Sequence, residues 1–292
     1  MKKFKLDNIS GVNWLLPEKK MIVVISHGMA EHVERYDYFA KKLNEAGIEA
    51  WGINQIGHGD AIVDDLKGHW EKDGFSNCVE NLGTLIKHIK EENKDIPIVL
   101  FGHSMGSFIS QEFIKRHSDL IDGVILSGSA KTGLLHKMGA LLSSMSLKDK
   151  KTPNKFLNDL SFGSYNKAFK PNRTEFDWLS RDNEQVDKYV ADPLCGYVCT
   201  TGFFKEFMKG LKNLNKGVEN IRKDLPIYIM AGAMDPVGNN GKDVVKLEEM
   251  YKKLNIKNVS MKLYEDGRHE MLNEINKDEV IKDILAWLGT IK

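Results

Sequence analysis

The stretch IVLFGHSMGSFISQEFIKRH, residues 98–117, is an apolar run that stops at Gly102, a serine set between two glycines, and a helix-like segment that begins at once. A short continuous apolar run ended by glycine fits a strand buried on both faces. In the pattern G-x-S-x-G, spelled here by Gly102, His103, Ser104, Met105 and Gly106, the chain reverses too sharply for large flanking side chains, and the glycines supply clearance. The serine is then held in a strained conformation. Its oxygen is pushed out at the C-terminal edge of the sheet, beside the free N–H groups that open the helix.

The same reading extends in both directions. MIVVISHG (21–28), IEAWGINQ (48–55), DGVILSGSA (122–130), PIYIMAG (226–232) and VSMKLYEDG (259–267) are strand candidates. RYDYFAKKLNEAG (35–47), SNCVENLGTLIKHIKEENK (76–94), KDVVKLEEMYKKLN (242–255) and DEVIKDILAWLG (278–289) carry helical spacing. FKLDNISGVNWLL (4–16) alternates around a turn cluster and predicts an N-terminal hairpin. Strands alternating with helices imply an α/β fold, a mostly parallel sheet with helices on both faces. Between Lys131 and about Asn215 the rhythm breaks. The expected organisation is a core of residues 1–130 and 216–292 with a mainly helical cap, 131–215, inserted between two core strands.

The 292 residues are 41% hydrophobic and 28% charged, an ordinary globular composition. With 42 basic against 41 acidic residues the net charge is +1, which gives no reason to expect nucleic acid as a partner. Three cysteines, Cys78, Cys195 and Cys199, make no disulfide framework and no complete zinc motif. MKKFKLDNIS lacks the apolar stretch of a signal peptide, so a soluble cytoplasmic protein is expected.

A serine hydroxyl is a weak nucleophile and needs a base, and the base needs an acid to orient it. On a sheet of this kind the order along the chain is serine, acid, histidine. YIMAGAMDPVG places Asp235 on the turn after one late strand, and YEDGRHEMLNE places His269 after the next. Both fall at C-terminal strand ends, where open α/β sheets build their sites. Ser104, Asp235 and His269 are therefore the candidate catalytic residues. The oxyanion hole is expected from the backbone N–H groups of Met105 and of Met29, in the loop SHGMAEHVERY. His27 is read as ordering that loop, and Glu31 and His32 are expected to pair. No metal or organic cofactor is expected.

Together HGMAEHVERY, GHGDA, GHSMGS, DWLSRD, DPLCGY, AGAMDPVG and GRHEML resemble the monoacylglycerol lipase and lysophospholipase branch of the α/β-hydrolase superfamily, over about residues 13–287. The resemblance implies the same triad and oxyanion donors, and a single-chain lipid ester as small-molecule substrate, cleaved through an acyl-enzyme. In the cap, Leu134, Met138, Leu141, Leu142 and Met145 share a helical face and are candidates for an acyl-binding wall, with cap packing or transient membrane or micelle contact as alternatives. Phe169, Phe176 and Trp178 are read as cap core. An aminopeptidase or amidase on the same scaffold is an alternative, with Glu175, Asp177 or Glu184 as acidic anchor; a non-catalytic binding protein is another. His269 as base predicts activity rising with an ordinary histidine pKa, roughly 6 to 7.

Overall fold

The computed structural model describes residues 1–133 and 149–291. β1 (Lys2–Leu6) and β2 (Ile9–Trp14) form the hairpin expected from their alternation, turned at Asp7 with φ 51°. β2 lies antiparallel on β4 (Ile48–Asn54). All later neighbours are parallel: β3 (Met21–Ser26), β5 (Ile98–His103), β6 (Gly123–Ser127), β7 (Ile227–Gly232) and β8 (Val259–Tyr264). The order across the sheet is β1-β2-β4-β3-β5-β6-β7-β8.

Every residue of β3, β5, β6 and β7 is buried, which explains why these strands read as unbroken apolar runs. Period-2 alternation sends neighbours to opposite faces. Ile22, Val24, Ile98 and Leu100 pack beneath α2 (Gly74–Glu92), α3 (Met105–His117) and α7 (Lys242–Lys253). Val23, Ile25, Val99 and Phe101 pack beneath α1 (Asp37–Glu45) and α8 (Lys277–Leu288). Each such buried aliphatic or aromatic side chain contributes about 1.5–3 kcal/mol relative to exposure. Among the described residues no helix is long and apolar enough to cross a membrane.

Between β6 and β7 the described residues form α4 (Lys155–Phe162), α5 (Asn183–Ala191) and α6 (Thr201–Asn213). Each starts at a side chain that accepts from the first-turn backbone: Asn154 from Leu157 N–H, Asp182 from Glu184 and Gln185, Thr200 from Phe203. Leu179, Tyr189 and Cys195 form an apolar cluster of their own. α6 behaves differently. Phe203, Phe204, Phe207, Met208 and Leu211 join the core cluster that contains α2 and α3.

Candidate active site

β5 ends at His103 and α3 starts at Met105, so Ser104 alone makes the turn, at φ 52° and ψ −119°. A non-glycine residue held there costs about 1–3 kcal/mol and persists only when its surroundings over-determine it. They do. Ser104 N–H donates to Ser127 O at 2.9 Å, and its carbonyl accepts from Ser107 N–H at 2.9 Å, Ser107 Oγ at 2.6 Å and Phe108 N–H at 3.2 Å. The flanking glycines are fixed by contact. A Cβ on Gly102 would run into Ser110 Oγ and the Gly106 carbonyl, and one on Gly106 would fall on the Ser26 carbonyl at the end of β3.

The loops after β7 and β8 bring Asp235 and His269 together. His269 Nδ1 lies 2.9 Å from Asp235 Oδ2, and both residues are buried. Asp235 Oδ1 accepts from Val237 N–H at 2.9 Å, which fixes the carboxylate's orientation. Burial pushes the His269 imidazole toward its neutral form. Asp235, at hydrogen-bond distance, and then Glu270 and Glu31 outweigh that effect and raise its pKa above the ordinary histidine value. The shift is to the upper side of the ordinary value; Glu270 is the next position in the chain, and Glu31 comes from the distant loop after β3. The rings of His103 and Trp178 lie 4.8 and 5.0 Å from that of His269. Burial, and then the charge of His269, drive His103 down to about 4, so it is neutral at pH 7.

The loop after β3 is held by side chains at every step. His27 Nε2 accepts from Gln55 N–H at 3.0 Å, so its Nδ1 donates to Gly28 O at 2.7 Å, the loop-ordering role read from the sequence. Burial, then the nearby His58, keep it uncharged. Gly28 N–H donates to Glu31 Oε1 at 2.5 Å. Ala30, at φ 51°, offers its carbonyl to Tyr189 OH and Gly196 N–H, both at 2.9 Å. Glu31 and His32 do not pair. Glu31 takes Arg35 at 2.6 Å and His32 takes Asp192 at 2.8 Å. Met29 and Met105 N–H have no hydrogen-bond partner among the described residues, and both residues line the cleft beside Ser104.

That cleft has two parts. A cavity of about 610 Å³ adjoins Ser104 and is walled by Phe108, Phe162, Phe207, Met208, Leu211 and Val237. A more polar recess of about 300 Å³ reaches both Ser104 and His269 and is lined by Glu175, Phe176, Trp178, Tyr189 and Tyr197 among others. Leu134, Met138, Leu141, Leu142 and Met145 lie outside the described residues. Phe176 and Trp178 pack against the Leu179 cluster and also face the recess, while Phe169 lies 4.3 Å from the Arg268 guanidinium. Of the acidic anchors, Glu175 lines the recess. Asp177 is occupied by the N–H groups of Arg173 and Thr174, and Glu184 pairs with Lys188 on the surface.

The sequence reading missed the strap. The segment Asp177–Arg181 runs along the histidine loop. Trp178 O and Leu179 O accept from His269 and Glu270 N–H at 3.4 and 2.7 Å, Ser180 Oγ donates to Asn273 O at 2.7 Å, and Arg181 Nε donates to buried Glu274 at 2.9 Å. The quoted phrase DWLSRD was the available signal, but nothing local in it names its partner.

His32, Asp192 and Cys195 bring three ligand-type atoms within 4.8 Å of one another. His32 is already committed to Asp192, and burial pushes the Cys195 thiol well up, keeping it protonated. The donor set suits a structural tie better than a cation. Cys78, Cys195 and Cys199 are free and buried.

A strained serine between strand and helix, a buried Asp–His pair and a helix-opening N–H on one sheet edge define an α/β-hydrolase. The family model described as serine aminopeptidase S33 matches residues 17–276, and the chain belongs to that family. It is 28% identical over 276 residues to a monoglyceride lipase homolog of monkeypox virus, covering 92% of this chain and 89% of that one. It is 23% identical to phospholipase YtpA of Bacillus subtilis, covering 94% and 97%. A thermostable carboxyl esterase from Bacillus coagulans in complex with glycerol superposes with TM-score 0.90 at 26% identity, covering 99% of this chain and 97% of that structure.

Proposed function

We propose that the protein hydrolyses carboxylic esters of single-chain lipids, monoacylglycerols or lysophospholipids, through an acyl-enzyme on Ser104. His269 Nε2 takes the hydroxyl proton as Ser104 Oγ attacks the ester carbonyl. Asp235 holds the imidazole with Nδ1–H toward itself and stabilises the imidazolium. The N–H groups of Met29 and Met105 receive the oxyanion. His269 then protonates the departing alcohol, and water repeats the sequence on the acyl-enzyme. Residues 131–215 act as the cap over this reaction, and the enzyme meets lipid surfaces only transiently. Three free buried thiols favour a cytoplasmic setting.

The observation that carries the reading is the apolar cavity of about 610 Å³ opening beside Ser104, large enough for an acyl chain. Names of relatives, a monoglyceride lipase homolog and a phospholipase, agree with it. Glu175 in the polar recess favours the second reading, an aminopeptidase binding a free amine. p-Nitrophenyl esters of graded chain length, monoacylglycerols and aminoacyl naphthylamides assayed side by side separate the two. Ester turnover that increases with chain length, absent from a folded Ser104→Ala variant, is expected; naphthylamide turnover without ester turnover would replace this proposal with the second.

A further inference from the structure

Arg35 and Glu270 take no part in the reaction as written, yet they lie buried at its centre. Arg35 Nη1 and Nη2 fork onto the two oxygens of Glu270 at 2.8 and 2.7 Å, and Nη1 also reaches Glu31 Oε2 at 2.6 Å. Glu31 Oε1 accepts from Tyr36 OH at 3.0 Å and from Gly28 N–H at 2.5 Å. Asn273 Nδ2 completes Glu270 at 2.8 Å, and the Tyr189 ring covers the guanidinium at 4.7 Å. The chain of bonds thus starts one residue before Met29 and ends one residue after His269, linking loops 235 positions apart. All three charged side chains are at most 12% exposed.

Burying such a triad costs several kcal/mol per ion, and apolar residues of similar volume would serve stability as well. Its value lies in geometry and field. Bidentate Arg–carboxylate pairs fix relative orientation in a way a point charge does not. Two carboxylates against one guanidinium leave a surplus negative charge where water does not screen it.

We propose that Arg35 and Glu270 are positioning residues, which lock the loop offering Met29 N–H to the loop carrying His269 and set one surplus negative charge beside the imidazole. The inference rests on the reading of Ser104, Asp235 and His269 as the triad. The titratable groups facing His269 are Asp235 after β7, Glu270 on its own loop, Glu31 after β3 and His103 on β5. Burial raises the pKa of Glu31 and of Glu270, and Arg35, with lesser help from His103 and, for Glu31, the Gly28 N–H, reverses this, so both are ionised at neutral pH. Both then favour the imidazolium, and loss of either charge lowers the pKa of His269.

The test compares wild type, Glu270→Gln and Arg35→Met by pH–rate profiles with a chemistry-limited ester and by fluorophosphonate labelling of Ser104. Glu270→Gln keeps the volume and removes the charge, giving up one Arg35 bond because its NH₂ must face a donor, so its acid limb of kcat/KM should move to lower pH by about half a pH unit or more. Arg35→Met should lower kcat on the order of ten- to a hundredfold, with KM within about twofold, because the lost lock displaces base and oxyanion donor from the reacting atoms. If Arg35→Met fails to fold, the Glu270→Gln profile decides alone. A folded Glu270→Gln enzyme with the wild-type acid limb and kcat overturns the proposal. Wild-type protein left unlabelled at Ser104 would instead overturn the triad reading beneath it.

Discussion

Asp235→Asn is the sharpest test of the site, because the structure fixes which way the new amide turns. Val237 N–H donates to Asp235 Oδ1 at 2.9 Å, so the amide oxygen must take that place and the NH₂ group must face His269 Nδ1. Two donors cannot face each other, so the imidazole moves its proton to Nε2, the nitrogen that has to accept from Ser104. The reverse amide orientation sets a donor against Val237 N–H in a fully buried site and costs about 1–3 kcal/mol. That alone leaves roughly one molecule in ten to a hundred with the right tautomer. The lost carboxylate charge also stops favouring the imidazolium, at 1.36 kcal/mol for each unit of pKa. The two effects act together, and loss of the orienting carboxylate should lower kcat by on the order of 10³–10⁴. Steady-state hydrolysis of a short p-nitrophenyl ester measures this, with near-UV circular dichroism confirming the fold. A loss under tenfold would refute the assignment of Asp235.

The raised pKa of His269 keeps the inactive imidazolium populated to higher pH, so the half-maximal point of kcat/KM should lie above about 6.5; a midpoint at or below that value contradicts the charge arrangement. Met208→Trp fills part of the cavity wall. It should depress kcat/KM for long acyl chains at least tenfold while acetyl ester turnover stays within about threefold, and equal losses on both would remove the cavity from the acyl-binding role. Gly106→Ala sets a methyl group on the Ser26 carbonyl and should destabilise the fold by about 3 kcal/mol or more, read as a lowered urea midpoint at unchanged slope.

What could be read from the sequence was what local chemistry encodes. β3, β5 and β7 announce themselves because burial on both faces demands unbroken apolar residues. The elbow is legible because two glycines and a serine at that spacing have a steric reason, and the late Asp and His follow strands whose ends can be counted. Pairings set by the fold were not legible. Nothing in HVERY says that Arg35 reaches Glu270, nor in DWLSRD that its carbonyls meet the histidine loop. Residues 201–213 were read only as part of the expected helical cap, and tertiary placement shows α6 packing on α2 and α3. The pairing of Glu31 with Arg35 turns on side-chain direction in an irregular loop, where neither helical nor strand periodicity operates.

The ties from the segment between β6 and β7 to both sides of the cleft bear on how such proteins can be rebuilt. Tyr189 and Gly196 hold the Ala30 carbonyl, while Trp178 and Leu179 hold the backbone of His269 and Glu270. Removing the segment that carries Trp178, Leu179, Tyr189 and Gly196 would therefore strip the support from the loops after β3 and β8. A chimera exchanging this region with a relative has to carry the matching partners on the sheet side with it, so the graft junction follows the hydrogen bonds and not the ends of β6 and β7.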